Sequence, residues 1–176
     1  GYALDLDSTR LLHEDGHQEG VEVGYTRVGT KPCLHPLLAV LSEVRLVAAF
    51  WLRPGHSGCA NNGVSFFLDL WDNLPRHVRV RVVRADSGFC NGVLLALWQG
   101  LKLHFVVAAH LSQPIQRLIQ KEISWQDTEL EGTQVAELNY QEDGWPASAR
   151  LIVILHRLAD KKGRTGGKLL FDCPGY

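Results

Sequence analysis

A mixed α/β sheet flanked by helices, followed by an antiparallel β-rich segment, is the fold class the sequence predicts, and three observations carry it. Period-2 runs alternate with runs of helical period through residue 121. After residue 122 the pattern changes to short strand-like runs joined by Gly-containing turns. The composition, 176 residues with 45% hydrophobic and 21% charged, can bury one sizeable core.

The elements follow in order. Residues 2–7 alternate apolar and acidic side chains, so a strand there places Asp5 and Asp7 on one face. A Gly-rich stretch holds a second short strand at 21–28. Pro32 and Pro36 punctuate the approach to 37–43, which reads as a helix. Residues 46–52 read as a strand. Residues 61–74 place Val64, Phe67, Leu68 and Trp71 on one helical face, and Pro75 ends that helix. Val78, Val80 and Val82 alternate with Arg79 and Arg81 in a strand over 77–85 that delivers Asp86 at its C-terminal end. A helix over 93–101, a buried strand over 103–109 and a helix over 113–121 complete the first region. The second region predicts strands at 123–130, 134–141, 150–157 and 168–171. The expected division is 1–121 for the α/β core and 122–176 for the β-rich segment.

Charge and cysteine content narrow the function classes. Lys and Arg total 18 against 19 Asp and Glu, a net charge of −1, so no strongly basic or acidic character points to a partner. The apolar stretch 37–52 is interrupted by Glu43 and Arg45, which excludes a membrane-spanning helix there. Cys33, Cys59, Cys90 and Cys173 form no CxxC pair and are read as reduced thiols of a cytoplasmic protein. With no Met and no basic, apolar leader, the chain reads as a piece of a longer protein.

Two motifs match in letters and fail in context. His13 to His17 spells H-E-x-x-H, but Gly16 inside it and Gly20 after it deny the imidazoles a common helical face, so a surface loop without zinc is expected. Residues 163–168 resemble a phosphate-binding loop, yet Leu169 stands where Ser or Thr is required, so a turn is expected. Its Lys161, Lys162, Arg164 and Lys168 offer at most contacts to phosphates.

Asp7 and Asp86 remain. Each arrives at a strand end from a different part of the sheet, and carboxylates converging on one sheet edge suit Mg²⁺ or Mn²⁺. The competing reading is a turn or a helix cap, which strand-end Asp residues commonly form.

The runs 4–9, 16–20 with Gly24 and Tyr25, 35–38 and 84–89, with a terminal segment 170–176, resemble in order the catalytic domain of DDE-type insertion-sequence transposases. The resemblance covers nearly the whole chain. It implies an RNase H-like fold, with the first acid on the central first strand and the second just after the fourth. Those positions are Asp7 and Asp86, while the role of Asp5 stays open. It further implies a two-metal site for Mg²⁺ or Mn²⁺, double-stranded DNA (transposon ends and target) as partner, no membrane, and an option of homodimerisation in the full-length protein. The activity implied is hydrolysis at element ends and strand transfer. The family's third acid is a Glu on a helix with a Tyr-Arg-Glu-Lys type signature after a β-rich insertion. No such signature occurs here, and Glu129, Glu137 and Glu142 fall in strand-like sequence. The expectation is therefore that 122–176 corresponds to the insertion, that the third acid lies beyond Tyr176, and that the fragment by itself is inactive. The rival readings are a non-catalytic transposase-derived fragment that binds DNA or protein, and another RNase H-like nuclease.

Overall fold

The structure is a computed structural model that describes residues 1–13, 15, 18–26, 28–58, 62–122 and 124–156. The chain forms two compact units, one of Gly1–His110 with Gly144–Pro146, the other of Leu111–Asp143 with the chain from Ala147.

The first unit is built on strands β1 (Tyr2–Ser8), β2 (Leu11–Leu12), β3 (Glu22–Thr26), β4 (Gly29–Leu34), β5 (Leu37–Leu41) and β6 (Leu46–Trp51). Helix α1 (Gly63–Asn73), β7 (Val80–Ala85), α2 (Gly92–Gly100) and β8 (His104–Val107) follow. Five strands form one sheet in the order β6-β5-β1-β7-β8. β5 runs antiparallel to β1, and β6 antiparallel to β5. β7 is parallel to β1, and β8 parallel to β7. The central strand is thus the first in the chain, and the fourth of the sheet, β7, lies directly beside it.

Alternation along the strands decides which side chains are buried. Leu4 and Leu6 of β1, Leu37, Ala39 and Leu41 of β5 and Val83 of β7 face one way and form a core with Phe66, Phe67, Leu70, Leu94 and Trp98 of the two helices. Phe67 meets Trp98 edge-on, ring centroids 5.8 Å apart, an arrangement favoured by the ring quadrupoles. α1 ends where Leu74 turns extended (φ −66°, ψ 129°), as the residue before Pro75 must. α2 begins at Asn91, whose side chain accepts the Leu94 N–H at 3.0 Å.

A second, three-stranded sheet, β2-β4-β3, belongs to the same unit. It depends on a close backbone crossing. A Cβ on Gly55 would stand 2.3 Å from the Glu22 carbonyl oxygen and 2.4 Å from that of Cys33, and one on Gly24 would stand 2.1 Å from the Gly55 oxygen.

The second unit contains α3 (Gln113–Glu122), β9 (Gln126–Asp127), β10 (Thr133–Tyr140) and β11 (Ala149–His156). The three strands form an antiparallel sheet in the order β11-β10-β9. Arg150 of β11 reaches Glu137 of β10 with both ends of its fork, at 2.6 Å each, so Glu137 is committed to a cross-strand ion pair.

Several expectations need correcting. The segment expected to be helical at 37–43 is β5, because Leu-Leu-Ala-Val-Leu carries no period that separates a buried strand from a helix, and pairing with β1 and β6 decides it. β4 was not anticipated, since Pro32 reads as a breaker; its carbonyl accepts the His13 N–H at 3.1 Å. α1 buries Gly63, Phe66, Phe67 and Leu70, a stripe rotated from the expected one, and Leu68 is exposed. β8 is half-exposed because it is an edge strand. Among the described residues of the strand expected at 123–130, only β9 forms. Among the described residues no helix is long and apolar enough to cross a membrane. His17, Cys59, Cys173, the turn at 163–168, the strand at 168–171 and the terminal segment 170–176 lie outside the described residues.

Candidate active site

Asp7 is the penultimate residue of β1, and Asp86 follows the last residue of β7. In the parallel ladder Leu6 pairs with Ala85, so Asp7 and Asp86 are the next residues of two adjacent strands. Asp86 is still extended (φ −77°, ψ 177°), so the alternation runs on through it. Leu6 and Ala85 turn toward the core, and the following residue of each strand turns to the opposite face. Register therefore brings the two carboxylates side by side, on strands about 4.8 Å apart.

Both acids are exposed. Asp7 Oδ1 accepts the Ser8 N–H at 2.7 Å, and Asp86 Oδ1 accepts the Gly88 N–H at 3.0 Å, capping the short 3-10 turn Ser87–Phe89. Asp86 is thus also the helix cap that strand-end Asp residues tend to be. Among the described residues the second oxygen of each carboxylate has no hydrogen-bond partner.

Asp5 sits two residues before Asp7 on the same face, and its surroundings differ. Arg84 donates from Nε to Oδ1 at 2.6 Å and from a terminal nitrogen to Oδ2 at 2.7 Å, and Ser42 Oγ donates to Oδ2 at 2.5 Å. The Arg84 hydrogen bonds hold the Asp5 carboxyl below the usual carboxylate range, with burial opposing them. Its two oxygens are already engaged.

A cleft of about 540 Å³ opens beside Asp86, lined among others by Ser8, Thr9, Arg10, Tyr25 and His35. His35 is 2% exposed, and its Nδ1 lies 2.7 Å from the Ser57 carbonyl oxygen. Burial pushes its pKa below the ordinary histidine value; the Ser57 bond and the Asp86 charge act upward, and Arg10 and Arg53 downward. A neutral imidazole is the result at pH 7. In sequence His35 belongs to the run 35–38 that carries the resemblance and stands near Cys33 with no further ligand at a recognised spacing, so its place beside the cleft emerges only when the strands are assembled. Tyr25, exposed on β3, likewise enters the cleft only through folding.

The central strand is thus flanked antiparallel on one side and parallel on the other, and two carboxylates stand where the two parallel strands end. Residues 2–163 match the family described as transposase DDE domain group 1, and the chain belongs to that family. Its fold is a mixed sheet flanked by helices, with antiparallel sheets besides. The catalytic core domain of BIV integrase is similar at 13% identity with a TM-score of 0.41, over 68% of this chain and 62% of that one. A piggyBac transposase in a synaptic complex with hairpin DNA gives 12% identity and 0.46, over 95% of this chain and 35% of that one. YeaZ from Pseudomonas aeruginosa gives 15% and 0.32, over 90% and 70%. The chain spans less than two thirds of the first two structures. No curated protein matches it.

Proposed function

We propose that this chain is part of the catalytic core of a cut-and-paste DNA transposase, with Asp7 and Asp86 as two of its acids. The observation that carries the reading is the register of β1 and β7, which sets two carboxylates with uncommitted oxygens at neighbouring strand ends. Two hard oxygen donors fit Mg²⁺ or Mn²⁺ as part of a ligand set. When bound, two such ions supply an activated water or hydroxyl and charge compensation at the leaving oxygen. In the reaction, water adds to the phosphorus at the element end, the P–O3′ bond breaks and a 3′-hydroxyl is released. That hydroxyl then attacks a phosphorus of target DNA and displaces a second 3′-oxygen. Asp7 and Asp86 would hold the cations beside the reacting phosphate, which is the part this chain contributes.

Among the described residues no group of three or more His, Cys, Asp or Glu side chains gathers to hold a metal. In our reading a carboxylate from outside the described residues completes the set. The sheet face that carries Asp7 supports this, because Val47 is 60% and Phe50 51% exposed there, with Leu38 and Val40 of β5 half-exposed beside them. Double-stranded DNA is the proposed partner, with affinity drawn largely from other domains, since a net charge of −1 gives no electrostatic excess for phosphates. We place the protein in the cytoplasm, where a buried thiol such as that of Cys33 remains reduced.

Mn²⁺ titration of the chain and of its Asp86→Asn variant tests the ligands: weak binding that Asp86→Asn abolishes is expected. The 176-residue chain is expected to cleave no element ends, and a chain extended through the following residues and joined to an end-binding domain is expected to cleave and join. Identical Mn²⁺ behaviour of wild type and variant would favour a non-catalytic DNA- or protein-binding fragment, and cutting without joining another RNase H-like nuclease.

A further inference from the structure

Asp5 and Arg84 stand one pleat behind Asp7 and Asp86. They are direct partners in the β1–β7 ladder, each two residues before one of the acids and on the same face. The guanidinium spans the two strands with both contacts at 2.7 Å or less. Ser42, in the turn after β5, donates to Asp5 at 2.5 Å and accepts from Arg84 at 2.9 Å, which ties a third strand end into the same cluster. A planar fork on a carboxylate tolerates little sliding, because both bonds lengthen together. A one-residue slip would also turn the core side chains of β1 outward, so register and face are set together. Behind this clamp lie Leu4 and Val83 of the core, and ahead of it the strands carry only Leu6, Ala85 and the two acids before they separate.

We propose that Asp5 and Arg84 are positioning residues whose bidentate pair holds the ends of β1 and β7 in the register that sets Asp7 beside Asp86. Its metal consequence rests on the function proposed above, whereas its register consequence does not. The decisive variant is Asp5→Asn/Arg84→Gln, which removes both charges and the guanidinium fork and frees neither a carboxylate nor a cation. In wild type and variant, amide hydrogen exchange is read at residues 6–8 and 85–86 and at Leu4 and Val83, and Mn²⁺ affinity is measured well below the melting temperature. The expected result is exchange about tenfold faster at the strand ends with Leu4 and Val83 unchanged. Mn²⁺ affinity is expected to fall by about tenfold, the lower end for groups that orient metal ligands, because the pair acts through the strands and touches neither acid. The reversed pair Asp5→Arg/Arg84→Asp is expected to recover both, and Arg84→Lys, a point charge without the fork, only part. Unchanged exchange at the strand ends overturns the proposal, as does a rise spread evenly over the whole unit with Mn²⁺ affinity tracking the melting temperature. Faster exchange at the strand ends in a protein whose wild type binds no Mn²⁺ upholds the clamp and removes the metal reading instead.

Discussion

His35 and Asp5 are ionisable groups whose environments push them in ways that pH can read. The buried imidazole of His35 has its pKa lowered from 6.5, so the folded state prefers it neutral while the unfolded chain takes up a proton. Stability is therefore full above about 6.5 and declines as pH falls below it, levelling off once the folded value is passed. A His35→Gln variant, followed by urea midpoints across that range, is expected to show a shallower decline than wild type. Asp5 behaves in the opposite chemical sense, since Arg84 lowers its carboxyl below 3.8. Its contribution is present above that value and is lost as pH falls through the folded pKa. The stability difference between wild type and Asp5→Asn, from melting temperatures, is thus expected to be constant near neutrality and to shrink below pH 3.8.

Among the elements, β3, whose Tyr25 and Thr26 line the cleft, packs with β4 closely against the Pro54–Gly55 turn. Arg10 donates to the Gly55 carbonyl at 2.9 Å, so the same turn anchors a cleft side chain. A methyl group at Gly55 meets backbone rather than a flexible side-chain tip, and the sheet must open to admit it. Gly55→Ala is expected to cost about 1–3 kcal/mol in denaturant unfolding, the range of overpacked sites. Elsewhere in the unit, Asn91 caps α2 through the Leu94 N–H. Asn91→Ala is expected to cost about 1 kcal/mol by the same measurement, and Asn91→Ser much less, because Ser caps nearly as well.

For the molecule as a whole, the unit that carries the acids rests on one core whose largest side chain is Trp98, fully buried between Phe67 and Phe105. Trp98→Ala leaves a cavity that rigid neighbours cannot close and is expected to cost about 3–5 kcal/mol in urea unfolding. Trp98→Phe is expected to cost distinctly less. Besides keeping most of the volume, it removes an indole N–H that has no hydrogen-bond partner among the described residues.

Sequence alone determined the mixed α/β class, the strand-rich character of the described residues 124–156, the placement of Asp7 and Asp86 at strand ends and the family resemblance. These are local properties: hydrophobic period, turn residues and short motifs survive without knowledge of neighbours. Only the tertiary structure decided that Leu37–Leu41 is a strand and that Gly29–Leu34 passes through Pro32 without breaking. In both cases hydrogen bonds to residues distant in the chain outweigh local propensity. It also decided the fate of Asp5, which shares residue type and strand face with Asp7 but whose role the sequence leaves open. What separates them is Arg84, 79 residues along the chain, and a strand register that no local pattern encodes.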